Sequence, residues 1–290
     1  MPKPSAPMPQ PPRVPAEPAR PAPDDATAAR FRPLAELDAR QVRGVLTDID
    51  DTLTRDGRLP APAYDAIDRL ARAGIPVVPV TGRSAGWGHL IIHHWPVDAV
   101  IAESGGLCLH RRGRHVEWLF HDARERIDAD RRELARAAEA VLARFPELRL
   151  ADDNAFRLVD FAIDHREAVD PPAEPSRVQA AIAQLRAAGF HARASSVHIN
   201  AWRGDFDKAP TALRYLTGVL GQSEDAARAH WCFIGDAPND ESMFAAFPLA
   251  VGVANLAPQA DRLAHRPRWL TRAGHGEGFV EFANHLLAAR

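Results

Sequence analysis

Three apolar runs, VRGVLTDID, IPVVPVTGR and VDAVIAESGG, lie between residues 42 and 106, separated by two stretches with helical spacing. The first of these, PAPAYDAIDRLARAG, has Gly74 as its stop signal; the second covers residues 84–95, with Ser84 placed to cap it. Strand, helix, strand, helix, strand with short links is the pattern of a parallel sheet whose strands are joined by crossover helices. The pattern returns towards the C-terminus as a helix over 207–220, the strand HWCFIGDAPND, a helix over 239–246, the strand LAVGVA and a helix over 276–289. The predicted fold class is α/β, a doubly wound parallel sheet.

Between these halves the alternation stops. Residues 107–120 read as a hairpin turning at Arg112–Gly113–Arg114, followed by an amphipathic helix over 128–145 and strand-like stretches at 148–151 and 156–163. A loop carrying Pro171, Pro172 and Pro175 leads to a helix over 176–188 and a strand over 191–202. This order predicts a small α+β unit over 113–200, inserted into a core formed by 41–112 and 201–290. A chain of 290 residues is long enough for both.

Residues 1–40 are predicted to be a tail. The stretch up to Arg30 is rich in Pro and Ala and has no apolar periodicity, so it has little to bury. It has no apolar core of a secretion signal, and Asp24 and Asp25 argue against a transit peptide. A PxxP ligand role is the other reading of this segment. A net charge of −2 offers no footprint for nucleic acid or an anionic membrane. No apolar run approaches the roughly 18 residues of a membrane span. The two cysteines, Cys108 and Cys232, sit singly in apolar runs, which fits a reducing, cytoplasmic setting.

Ligands of open parallel sheets bind outside the carboxyl ends of the strands, and the unusual polar residues of this chain fall there. The first strand ends in Asp48-Ile49-Asp50-Asp51-Thr52, the second in Thr81-Gly82-Arg83, and the third in Glu103-Ser104-Gly105-Gly106. The late strand ends in Gly235-Asp236-Ala237-Pro238-Asn239-Asp240, and Lys208 opens the helix before it. Carboxylates as close as Asp48, Asp50 and Asp51 repel one another and lose hydration, so a cation, a shared proton or open solvent must compensate.

This constellation resembles the haloacid dehalogenase superfamily of phosphotransferases over about residues 42–290. DxDxT at 48–52 matches its first motif, Thr81 its second, Lys208 its third and GDAPND at 235–240 its fourth. An insertion between the second and third motifs is similar to the IIB subclass, which includes Cof-like, sucrose-phosphate, trehalose-phosphate and mannosylglycerate-phosphate phosphatases. Ser104 departs from the Asn-Gly pair that many relatives carry there.

The resemblance implies a Mg²⁺-dependent phosphomonoesterase with an inserted cap that chooses a small phosphorylated substrate, most plausibly a sugar phosphate. Asp48 is the implied nucleophile and Asp50 the general acid and then base. Lys208 offsets the charge of the nucleophile and the transferring group. Thr81, with Gly82 and Arg83, is placed at the phosphate. Asp48, Asp50 through its backbone carbonyl, Asp236 and Asn239 are the implied metal group, with Asp240 orienting Lys208 or a metal-bound water. Asp51 reads as a local turn residue. In the insertion, alternation puts Ser196, His198 and Asn200 on one face of the return strand, with Arg203 beyond it. That face lies either over the active site or against the insertion's own helices.

Each motif has a plainer reading alone: a solvated Asp turn, a strand-end threonine, a surface lysine. His89 and His93, at i and i+4, read as a packed or surface helix face, not a metal site. The rival functions are a sugar phosphomutase, against which VTGR at 80–83 counts, and a non-catalytic phosphometabolite-binding module.

Overall fold

The computed structural model describes residues 30–195 and 197–290. The chain opens with β1 (Arg32–Pro33), two single turns of 3-10 helix and β2 (Gly44–Thr47), all of whose residues are buried. Helix α1 (Ala61–Arg72) starts with Pro62 in its first turn, buries Ala63, Ala66, Ile67 and Leu70, and stops at Gly74 with φ +75°. There follow β3 (Val77–Pro79), α2 (Ala85–His94), β4 (Ala99–Ala102), β5 (Leu107–Arg112) and β6 (His115–Phe120). The middle of the chain forms α3 (Arg124–Arg144), β7 (Arg149–Leu150), β8 (Phe161–Asp164), α4 (Pro175–Ala187), β9 (His191–Ala194) and β10 (His198–Trp202). It closes with α5 (Lys208–Gly218), α6 (Glu224–His230), β11 (Trp231–Gly235), α7 (Glu241–Ala246), β12 (Leu249–Gly252), β13 (Trp269–Leu270) and α8 (His275–Leu287).

Six strands form a parallel sheet in the order β1-β13-β12-β11-β2-β3. A parallel bridge between Val80 and Ile101 joins it to the antiparallel β4-β5-β6 sheet. Successive residues of β2 point to opposite faces: Val45 packs with Ile67, Leu70, Phe279 and Phe282, and Leu46 with Ala212, Leu216, Met243 and Phe244. Helices α1, α2 and α8 thus cover one face and α5, α6 and α7 the other. The chain leaves β2 for β3 on one side and returns to β11 on the other, so the ends of β2 and β11 flank the switch point where such sheets bind ligands.

The third sheet, β7-β8-β10-β9, is antiparallel and has its own core, in which α3 and α4 contribute Leu134, Val141, Ile182 and Leu185 against Ile163 and Ile199. Four sequence expectations change. Residues 31–41 are not tail: Phe31, Leu34, Leu37 and Ala39 are buried, and β1 pairs with β13, because apolar side chains follow the Pro-rich stretch directly. The boundary at 113 falls in the turn of a hairpin; β6 pairs with β5 along its whole length, and the second unit begins only with α3. Of the strand-like stretch at 156–163 only the end is strand, because Arg157 and Asp160 are drawn into a buried ionic cluster. The single strand expected over 191–202 is a hairpin, since Ser195 Oγ accepts the backbone N–H groups of Val197 and His198 and turns the chain. Ser196 and the Pro-rich segment up to residue 29 lie outside the described residues.

Candidate active site

Asp48 follows β2 directly and donates its N–H to the Ile234 carbonyl of β11, which sets the two strand ends side by side. Lys208 stands at the first position of α5, capped by the Asp207 carboxylate, and its Nζ donates to Asp48 at 2.6 Å and to Asp240 at 2.7 Å. The ammonium is 2% exposed and both carboxylates are buried, so the pairing is made almost without water. Burial works against the Lys208 charge, yet Asp240 and Asp48 outweigh it and hold its pKa above the ordinary lysine value. Asp240 Oδ2 also accepts the N–H groups of Asp236 and Ala237. This closes the turn after β11, and a Cβ at Gly235 would overlap that oxygen.

Carboxylate oxygens of Asp48, Asp236 and Asp240 lie within 4.8 Å of one another. Burial and their mutual repulsion push the carboxyls of Asp48 and Asp236 well above the usual range, and one ammonium does not offset the group. Asn239 Oδ1 is buried without a hydrogen-bond partner among the described residues, on the wall of the same cleft as Asp48 and Asp236. An uncompensated carboxylate cluster with an orphaned amide oxygen beside it is an all-oxygen donor set, which fits a hard divalent cation. Thr52 Oγ1 and Asn255 Nδ2 each donate to Asp236, fixing its orientation.

Above this floor is a cleft lined by Asp48, Asp50, Gly82, Arg83, His198 and Asn200 among others. The Asp50 carboxylate is clamped by Arg83, whose Nε and Nη2 donate to it at 2.7–3.1 Å. Arg83 Nη1 donates to both oxygens of Glu167 in the second unit, at 2.8 and 3.1 Å. His198 Nε2 lies 2.9 Å from Glu167 Oε2. The His198 contact and the Arg83 charge hold the Glu167 carboxyl down at about 2. Thr81 is fully buried, its oxygen accepting the Arg83 N–H. Ile199 and Ala201 pack on the helices, which leaves His198 and Asn200 facing the cleft. Arg203 is drawn away, to Asp130 and Glu133 on α3. Asp51 is a turn residue with φ +58°.

Several residues at this junction carried no role in the sequence reading. Glu103 is fully buried and accepts the N–H groups of Ala85, Leu158, Val159 and Asp160. Arg157, buried between Asp153 and Asp160, donates to the Gly82 carbonyl, which also receives Asn200 Nδ2. Glu103 stood out as a polar strand end; Glu167, Arg157 and Asp160 lay in a segment with no motif to mark them. His89 and His93 are exposed, and His89 stacks on Trp118.

A family model described as haloacid dehalogenase-like hydrolase matches residues 45–121, the segment holding Asp48, Asp50 and Thr81. Over that segment the chain is similar to the haloacid dehalogenase-like hydrolases. It is similar to a phosphoglycolate phosphatase of Archaeoglobus fulgidus, 27% identical over 240 residues, covering 82% of this chain and 94% of that one. Its fold is shared with protein 0175 of Thermoplasma acidophilum (TM-score 0.65, 19% identity, 85% of this chain and 98% of that one). It is also shared with the sucrose-phosphatase of Synechocystis (0.58, 18%, 85% and 98%). The C-terminal domain of the C. albicans trehalose-6-phosphate phosphatase is a further neighbour (0.64, 14%, 88% and 98%). The parallel sheet is joined here by a second, antiparallel unit that contributes His198 and Asn200 to the cleft.

Proposed function

We propose that this protein is a haloacid dehalogenase-like hydrolase, a Mg²⁺-dependent phosphomonoesterase acting on a small phosphorylated metabolite, with residues 122–204 as its cap. The observation that carries the reading is the buried Lys208 ammonium shared by Asp48 and Asp240 beneath the cleft. A carboxylate nucleophile facing a phosphate dianion needs positive charge already in place, and this site holds it without water.

In this reading Asp48 attacks phosphorus while the bond to the leaving oxygen breaks and that oxygen takes a proton from Asp50. Asp50 then accepts a proton from water, whose oxygen attacks the aspartyl-phosphate and returns free phosphate and Asp48. Asp48, Asp236, Asn239 and the Asp50 carbonyl would hold Mg²⁺, which when bound offsets the repulsion between Asp48 and the phosphate. Thr81 retains its hydroxyl proton to donate to a phosphoryl oxygen.

A sugar phosphate is the substrate that the sucrose- and trehalose-phosphatase neighbours suggest. The phosphoglycolate phosphatase relative suggests a smaller acid. Phosphate release from a panel of both classes and an aryl phosphate tests the function. Release with Mg²⁺ that vanishes with EDTA and in Asp48→Asn is the expected outcome; release that survives Asp48→Asn would remove the aspartyl-phosphate route.

A further inference from the structure

The geometry points to a second anion site at Arg83 and His198 that takes a carboxylate on the leaving group, with Glu167 as its resident occupant until substrate displaces it. This rests on the hydrolase reading and names the chemical class of its substrate.

Two side chains from different parts of the chain converge on one carboxylate. Arg83 Nη1, after β3, reaches both Glu167 oxygens, and His198 Nε2, on β10, lies against one of them. Both side chains are buried, Arg83 at 8% and His198 at 3%, and both line the cleft that holds Asp48 and Asp50. Arg83 spends its other edge on Asp50, so Nη1 is the part of the guanidinium left for a ligand. A planar fork of this kind suits a carboxylate.

Glu167 differs from its partners in being 41% exposed: it reaches into the site from the solvent side. Its backbone is fixed, because Asp164 accepts the N–H groups of Arg166, Glu167 and Ala168. The side chain alone must swing for the site to open. Once it has swung, Arg83 Nη1 has no acceptor, as His198 Nε2 already has none among the described residues. A leaving group with its own carboxylate replaces the lost contacts; a neutral one leaves buried donors unpaired, which is the arrangement that discriminates most strongly between substrates. The matching substrate is a phosphorylated small hydroxy acid.

The test compares 2-phosphoglycolate with glycerol 3-phosphate, first as turnover by the full chain with Mg²⁺, then as calorimetric binding to Asp48→Asn. The expected result is a preference for 2-phosphoglycolate of about tenfold or more in both assays. Glu167→Ala should widen it by removing the competitor, and His198→Ala should narrow it. Equal handling of the two compounds, or a Glu167→Ala effect of the same size on both, overturns the proposal even if an aryl phosphate is hydrolysed normally. A binding preference that responds to both substitutions without any turnover would keep the anion site and sink the hydrolase reading. Absence of binding to either compound by folded Asp48→Asn overturns the site.

Discussion

Lys208 meets Asp48 and Asp240 where almost no solvent reaches, so truncating it strands two carboxylates in the core. In Lys208→Met we expect a loss of about 3–5 kcal/mol by denaturant unfolding in EDTA, with turnover abolished. If stability were unchanged, the ammonium would not be the counter-charge of this cluster. Asn239 is the subtler case. Its Oδ1 has no partner among the described residues, so Asn239→Ala should raise the Mg²⁺ concentration for half-maximal activity by about tenfold while leaving activity at saturating Mg²⁺ within a few-fold. A titration that matches wild type would take Asn239 out of the metal group.

At the level of elements, the segment joining the 3-10 turn at Asp152–Phe156 to β8 hooks the second unit onto the core through one side chain. Glu103 accepts four backbone N–H groups, three of them from Leu158, Val159 and Asp160. Beside it, burial outweighs the Arg157 charge and pushes the Asp160 carboxyl up to about 7 from an ordinary 3.8. Folded protein therefore holds this proton more tightly than unfolded chain does. The stabilisation is complete below pH about 4 and is lost as pH rises towards about 7. Urea midpoints measured across that window should fall less steeply in Asp160→Asn than in wild type; parallel curves would mean that Asp160 does not carry this proton.

For the molecule as a whole, two dependences follow. A chain beginning at Val42 loses Phe31, Leu34 and Leu37 and the β1–β13 pairing. At about 1.5–3 kcal/mol per buried side chain, it should be less stable by roughly 5 kcal/mol in urea unfolding, and a midpoint equal to that of the full chain would take this segment out of the core. Mg²⁺ at about a hundred times its Kd should stabilise the folded protein by about 2.7 kcal/mol, and EDTA should reverse this. Asp236→Asn should abolish the shift. A Tm that ignores Mg²⁺ would leave the carboxylate cluster without its proposed ion.

The sequence by itself determined the α/β class and the positions of Asp48, Thr81, Lys208, Asp236 and Asp240 at strand or helix ends. Buried parallel strands impose local patterns: apolar runs, helical periodicity between them, and polar residues where the strands stop. The extra strand β1 and the hairpin at β9–β10 were not legible, because pairings of two to five residues leave no periodic signal. Nor were Glu167, Arg157 and Asp160, whose roles depend on meeting Arg83, Gly82 and Glu103 from the other unit. Only the tertiary structure decided that Arg83 clamps Asp50 and that His198 and Asn200 face the cleft, because charges distant in the chain choose partners by proximity in the folded core, which local spacing does not encode.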